Sequence, residues 1–144
     1  MPQAMLFTTI LVLACVLIHY EVLRAITGIL PRLPVMPRYR IIFVLVFAFV
    51  GHTLEVWLFG IAYWLMGNHL GLGRLAGDFD GSLVESVYFS VVTYSTLGFG
   101  DVYPTGALRL VAGVEALIGL VLMGWTASFT YLEMRDLWDL HPRK

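Results

Sequence analysis

Three stretches of this chain are each long and apolar enough to cross a lipid bilayer, and nothing else in the sequence constrains its fold so strongly. They run from about Met5 to Leu23, from Ile41 to Leu65 and from Leu108 to Leu132. A hydrocarbon core of ~30 Å needs about 20 residues of helix. Hydrophobic residues make up 59 % of the 144 and charged ones only 13 %. A chain this short has too little interior to hide that much apolar surface from water, so lipid must serve as its solvent. The net charge of -1 gives no reason to expect a nucleic-acid partner. Cys15 is the single cysteine, which excludes an intrachain disulfide. The first segment reads as a retained helix, not a cleaved signal: Met1-Pro2-Gln3-Ala4 carries no positive charge, and the apolar run continues past Cys15.

Between the second and third stretches lies a shorter apolar piece, Leu83 to Thr93. As a helix it would be only ~17 Å long, too short to span, so it dips in and returns or lies at the interface. Arg24, Arg32, Arg38 and Arg40 cluster in the first connection, and Arg135, Arg143 and Lys144 follow the last helix. The second connection holds Asp78, Asp80, Glu85 and Asp101 and is flanked by Arg74 and Arg109. The positive-inside rule then puts the first connection and the C-terminus in the cytoplasm, with the N-terminus and the 67–107 region outside. Pro31, Pro34 and Pro37 make the first connection a stiff link.

The outward connection has an internal order. Gly77, Asp78, Asp80 and Gly81 read as a polar turn, and Ser82-Leu83-Val84-Glu85 matches a capping box that opens a helix. Residues 87–92 are apolar on most sides, as in a helix buried among others. The chain then reads Thr93-Tyr94-Ser95-Thr96-Leu97-Gly98-Phe99-Gly100-Asp101. Gly98 and Gly100 can take positive φ at little steric cost. Alternating them with ordinary residues turns successive carbonyl oxygens to one side of an extended strand. Four copies around an axis would stack rings of oxygens that replace a cation's water shell. Such backbone is tolerable at membrane depth only where it lines a wet pathway or is buried in protein.

Thr96-Leu97-Gly98-Phe99-Gly100-Asp101 resembles the Thr-Val-Gly-Tyr-Gly-Asp signature of potassium channels. The likeness extends from Ile41 to Leu132 and includes Ser90 through Pro104, then Arg109-Leu110-Val111-Ala112 and Gly119. The resemblance implies an all-α membrane protein: three transmembrane helices plus a re-entrant pore helix and a selectivity-filter loop, tetrameric around a central pore. Its parts would be an N-terminal helix and cytoplasmic linker (1–40), a pore domain (41–132) and a short cytoplasmic tail (133–144). Within the pore domain the outer helix is 41–66, the pore helix 82–94, the filter 95–101 and the inner helix 107–132. Thr96, Leu97, Gly98 and Phe99 would bind potassium, Gly100 would complete the filter, and Ser95, Asp101 and Glu115 would support it. The implied protein is a potassium-selective homotetramer in a plasma membrane (a bacterial inner membrane), not an enzyme, with no cofactor beyond the transported ion. Leu97 stands where the family has valine or isoleucine, and Phe99 where it has tyrosine, which leaves a weakly selective or non-conducting pore as the alternative.

Other residues carry two readings each. Gly119 coincides with the family's hinge position, but glycine also serves close helix packing. If Gly119 faces the cavity, helical spacing places Leu120, Met123, Ala127 and Tyr131 along the conduction path. His52 and Glu55 share one face of the second helix near the bilayer midplane, either as a proton sensor or as a hydrogen-bonded pair fastening that helix. A membrane enzyme or metal-handling protein built on them, with His19 and Glu21, is the remote alternative. Glu115, about 10 Å into the third helix, either bonds behind the pore helix near Thr93 or Ser95 or makes a local contact. His19, Tyr20, Glu21 and Arg24 read as an interfacial anchor, and Trp57, Tyr63, Trp64, Trp125 and Trp138 as packing or belt residues. The first helix is expected to pack outside the second, away from the pore.

Overall fold

The structure, a computed structural model, describes residues 2–139. Four α-helices carry it: α1 (Pro2–Ile29), α2 (Pro37–Asn68), α3 (Leu83–Tyr94) and α4 (Leu108–Asp139). Among the described residues, α1, α2 and α4 contain the three helices long and apolar enough to cross a membrane. At 12 residues, α3 is about 18 Å long and cannot. The chain is an all-α membrane protein with one small addition. Strands β1 (Leu75–Gly77) and β2 (Val102–Pro104) pair antiparallel, Leu75 opposite Pro104 and Gly77 opposite Val102.

The helices are longer than the hydropathy windows indicated. Arg24 lies on α1, and the backbone of Arg38 and Arg40 on α2, so the first connection shrinks to one 3₁₀ turn (Leu30–Arg32) and residues 33–36. Pro31 and Pro37 each sit in the first positions of a helix, where the missing N–H has no partner to lose. The expected tail is helical as far as Asp139. Arg143 and Lys144 lie outside the described residues, as do the side chains of Arg38 and Trp138.

The outer connection is held by backbone pairing that the sequence did not announce. Asp78 N–H donates to the Asp101 carbonyl at 2.9 Å, Thr105 N–H to Arg74 at 2.9 Å, and Ala107 N–H to Leu72 at 2.9 Å. Gly77 belongs to β1 and not to a free turn. Its φ of 99° and its contact with the Asp101 carbonyl leave no room for a Cβ. At the far end of this loop the Ser82 hydroxyl accepts the Glu85 amide at 3.1 Å, capping α3. The reciprocal arm of a capping box is replaced: Ser82 N–H goes to Asp80 Oδ1 at 2.7 Å.

Two glycines let α3 seat between the long helices. A Cβ on Gly60 of α2 would lie 2.6 Å from Val87 Cγ2 and 2.8 Å from Val87 Cα, and a Cβ on Gly119 of α4 would run into the Tyr94 carbonyl. Helix α1 is not confined to the outside of α2. It lies against both α2 and α4, with Cys15 and Leu11 in the same core as Phe59, Tyr63, Val111 and Leu122. Many apolar side chains point outward, among them Leu13, Leu17, Phe49, Leu54, Leu117 and Val121, as lipid contact requires. Gly60→Val should separate α2 from α3 and cost about 1–3 kcal/mol. Thermal unfolding of the purified protein in detergent measures this, and an unchanged midpoint would mean that the contact carries no stability.

Candidate functional site

The segment after α3 is built by its own amides. Ser95 N–H donates to the Val91 carbonyl (3.1 Å), Thr96 N–H to Thr93 (2.9 Å), and both Leu97 and Gly98 N–H to Val92 (3.0 and 3.2 Å). These bonds satisfy carbonyls that the end of a helix leaves open. They also commit the amides toward α3. Positive φ then recurs at every second residue: Thr96 at 60°, Gly98 at 58° and Gly100 at 84°. The glycines adopt this freely, but for Thr96 the left-handed region costs about 1–2 kcal/mol. Among the described residues, nothing donates a hydrogen bond to the carbonyls of Thr96, Leu97, Gly98, Phe99 or Gly100. The whole run 95–100 is exposed, and Leu97 and Phe99 carry their side chains outward at 59 % and 66 % exposure. The Ser95 hydroxyl turns back to the Val91 carbonyl at 2.7 Å.

Asp101 closes the segment. Its carboxylate accepts Tyr88 O–H at 2.6 Å and its own neighbour's amide, Val102 N–H, at 2.9 Å. The Tyr88 hydroxyl, and after it the Val102 amide, hold this carboxyl below the ordinary carboxylate range. With Asp78, Asp80, Glu85 and Tyr88 it lines an open acidic cavity of about 380 Å³.

Glu115 is fully buried on α4. It reaches neither Thr93 nor Ser95. It takes Ser90 of α3 at 2.5 Å and Tyr63 of α2 at 2.5 Å, while Ser90 also bonds the Val56 carbonyl at 2.8 Å. The register of α4 sets Glu115 opposite the middle of α3, one turn before the expected partners. A serine has one proton to give, so these contacts are all satisfied when Glu115 is a carboxylic acid and donates to Ser90. Tyr63, read as packing, is therefore a polar strut.

His19 is not an interfacial anchor. It is fully buried, its Nδ1 lying 3.0 Å from Glu55 Oε1 and its Nε2 3.2 Å from Thr126 Oγ1. Its ring also packs on Trp125, centroids 5.4 Å apart. Glu55 has no exposure either. His52, the other half of the expected pair, lies 3.2 Å from Glu55 Oε2, 2.8 Å from Tyr94 Oη and 2.9 Å from Thr126 Oγ1. Tyr94 O–H donates to Glu55. The sequence singles out His52 and Glu55 as a pair and joins His19 to them only in the remote metal-handling alternative; Tyr94 and Thr126 it does not connect to them. His19, Tyr94 and Thr126 come from three other helices, and only tertiary packing unites them. The ligand atoms of His19, His52 and Glu55 lie within 4.8 Å of one another, yet each ring nitrogen already meets a protein partner at hydrogen-bond distance. Glu21 pairs instead with Arg24 at 3.1 Å on the exposed face of α1.

Gly119 does not face a cavity; it faces Tyr94 of α3, and the contact explains why no side chain fits there. Leu120, Ala127 and Tyr131 are nonetheless exposed on α4, and Met123 partly so. Met123, Ala127 and Tyr131 line an open groove of about 480 Å³ together with Leu45, His52 and Thr126.

Residues 39–134 match the sequence profile of a family described as "Ion channel". Over 75 residues the chain is 33 % identical to the inward rectifier potassium channel Kirbac3.1 of Paramagnetospirillum magnetotacticum, covering 51 % of this chain and 24 % of that one. Over 56 residues it is 36 % identical to two-pore potassium channel 1 of Arabidopsis thaliana, covering 38 % and 15 %. The chain thus spans a quarter or less of the length of these relatives. No solved structure matches it.

Two outcomes follow. Glu115→Ala strands the Tyr63 hydroxyl and takes from Ser90 the donor that faces its oxygen, and should cost about 1–3 kcal/mol beyond Glu115→Gln, whose amide replaces both bonds; thermal unfolding of the two variants side by side measures it. Tyr88→Phe removes the bond that lowers the Asp101 carboxyl, so its titration midpoint should move up toward the ordinary value. Because that midpoint is depressed in the fold, its contribution is present above the ordinary carboxylate range and is lost as pH falls through the depressed value. Carboxyl ¹³C shifts followed between pH 2 and 6 give the midpoint, and an unmoved one would contradict the assignment.

Proposed function

The chain belongs to the ion-channel family, and on that premise we propose that four copies close around an axis to form a potassium-selective pore. The backbone carbonyls of Thr96, Leu97, Gly98 and Phe99 line it, with the Thr96 hydroxyl at its inner end. The observation that carries this reading is the alternation of left-handed backbone at 96, 98 and 100 beside carbonyls that no protein donor takes. Alternation turns neighbouring carbonyls the same way, and a dehydrated cation supplies the partner that each unpaired carbonyl lacks. The C-terminal end of α3 directs the negative pole of its dipole at the same place. Asp78, Asp80, Glu85 and Asp101 raise the local cation concentration at the outer entrance. Both relatives are named as potassium channels.

The pore sits in a plasma membrane, with residues 67–107 outside and the α1–α2 connection in the cytoplasm, as the arginine distribution indicates. In the tetramer α3 re-enters the membrane without crossing it. A second reading, a pore of weak selectivity, draws on Leu97 and Phe99, whose exposed side chains make no bond to α3.

The test is cation flux into liposomes, with potassium and sodium gradients run separately. Potassium flux should far exceed sodium flux, and Thr96→Ala should lower that preference. Gly98→Ala should abolish flux, since left-handed backbone then costs about 1–2 kcal/mol in each chain. Equal fluxes in the unaltered protein would favour the weakly selective pore; no flux in either gradient would reject conduction.

A further inference from the structure

Five side chains from four helices close a ring through the middle of the molecule. In order they are Glu55 (α2), His19 (α1), Thr126 (α4), His52 (α2) and Tyr94 (α3), and Tyr94 returns to Glu55. Every neighbour in the ring is at hydrogen-bond distance, so five links need five protons. The chord from His52 Nδ1 to Glu55 Oε2, at 3.2 Å, shares the nitrogen that already faces Tyr94 and adds no proton of its own. Two hydroxyls and two neutral imidazoles supply four. The fifth must sit on Glu55 or on one imidazole, and either placement leaves the ring with no net charge. Thr126 is free to take part, because among the described residues its hydroxyl does not turn back to the preceding turn as those of Thr8, Thr9, Thr27 and Thr53 do. Neutrality is what an apolar surround demands of such a group.

We propose that this ring is a proton-operated clamp on the C-terminal turn of α3, with His19 and His52 acting as one site that positions the filter segment. The coupling is short. Tyr94 is the last residue of α3, and the carbonyls of Val92 and Thr93 beside it hold the amides of Thr96, Leu97 and Gly98. When the ring gives up its fifth proton, four protons remain for five links, two acceptors face each other across one of them, and that link opens. The proton leaves to water through the groove that His52 and Thr126 border, His52 being the titratable ring member that is not buried. The other titratable groups of this region are Cys15, one turn from His19 on α1, Glu115 on α4 with its partner Tyr63 on α2, and Tyr131 on α4, which borders the same groove as His52; among the described residues no hydrogen bond joins Cys15, Glu115 or Tyr63 to the ring. The consequence for flux rests on the channel reading; the ring's proton count does not.

Glu55→Gln separates this from a merely structural role. The amide of Gln brings a fixed proton, so the ring closes with five protons and two neutral imidazoles and has no fifth proton to release. Full-length protein with ¹⁵N-labelled histidine is reconstituted in lipid bilayers and followed by imidazole nitrogen NMR from pH 5 to 10, with potassium flux measured in parallel. In the unaltered protein His19 and His52 should change together in one step, with flux falling on the order of tenfold on its alkaline side. In Glu55→Gln both the step and the fall should vanish. Thr126→Val, which cuts the link between the two imidazoles, should make them change separately. Independent steps in the unaltered protein, or a Glu55→Gln variant that keeps the alkaline fall, would overturn the proposal. So would nitrogen signals that respond to zinc or to a chelator instead of to pH, which would make the cluster a cation site. Absence of flux at every pH would reject the channel reading while the nitrogen signals still decide the ring.

Discussion

The amides that bind residues 95–98 back to the end of α3 determine how the rest of the chain must be arranged. A helix ends with open carbonyls, and here the following segment satisfies them by folding its N–H groups inward. Once those donors are spent, the carbonyls of residues 96–100 have no partner among the described residues. Backbone in that condition is costly anywhere a bilayer can reach it. The proposed tetramer resolves the conflict by turning the carbonyls to an axis where a cation, not water or lipid, meets them.

Holding that segment in place is the task of α3, a helix too short to be fixed by the membrane itself. Gly60 and Gly119 let it approach α2 and α4, and three polar contacts then lock it at different heights. Ser90 and Glu115 hold its middle, with Tyr63 behind them, and Tyr94 ties its last turn to Glu55 and His52. Tyr88, also near the middle of α3, secures the far end of the filter segment through Asp101. Polar groups in an apolar solvent are expensive when single and specific when paired, which is why they cluster here and the lipid-facing surfaces are almost bare of them. Phe99 lacks a hydroxyl for such a bond, and the contacts of α3 lie elsewhere.

The membrane class and the three spanning segments were legible because hydropathy over 20 residues is a strong and local signal. The start of α3 was legible from Ser82, whose cap depends on residues three apart. Helix ends were not: apolarity fades before the helix does, and α1 continues through Arg24 to Ile29. The β1–β2 pairing was missed because two three-residue strands separated by a helix leave no periodicity to detect. At the site, glycine spacing announced the left-handed positions 98 and 100, but Thr96 joins them as an ordinary residue that no glycine signal marks, its amide held by the Thr93 carbonyl. His52 and Glu55 stood out as ionisable groups at membrane depth. Their partner His19 lay near the end of an apolar window, where an exposed anchor was the natural expectation, and only the packing of α1 against α4 revealed its burial.

Anomalous diffraction from crystals of the full chain grown with thallium(I), a heavy stand-in for potassium, addresses the proposed filter most directly. The account predicts a fourfold assembly with a column of anomalous peaks on its axis, level with the carbonyls of Thr96 to Phe99. An assembly of different symmetry, or a fourfold one with no peak at that level, would contradict it.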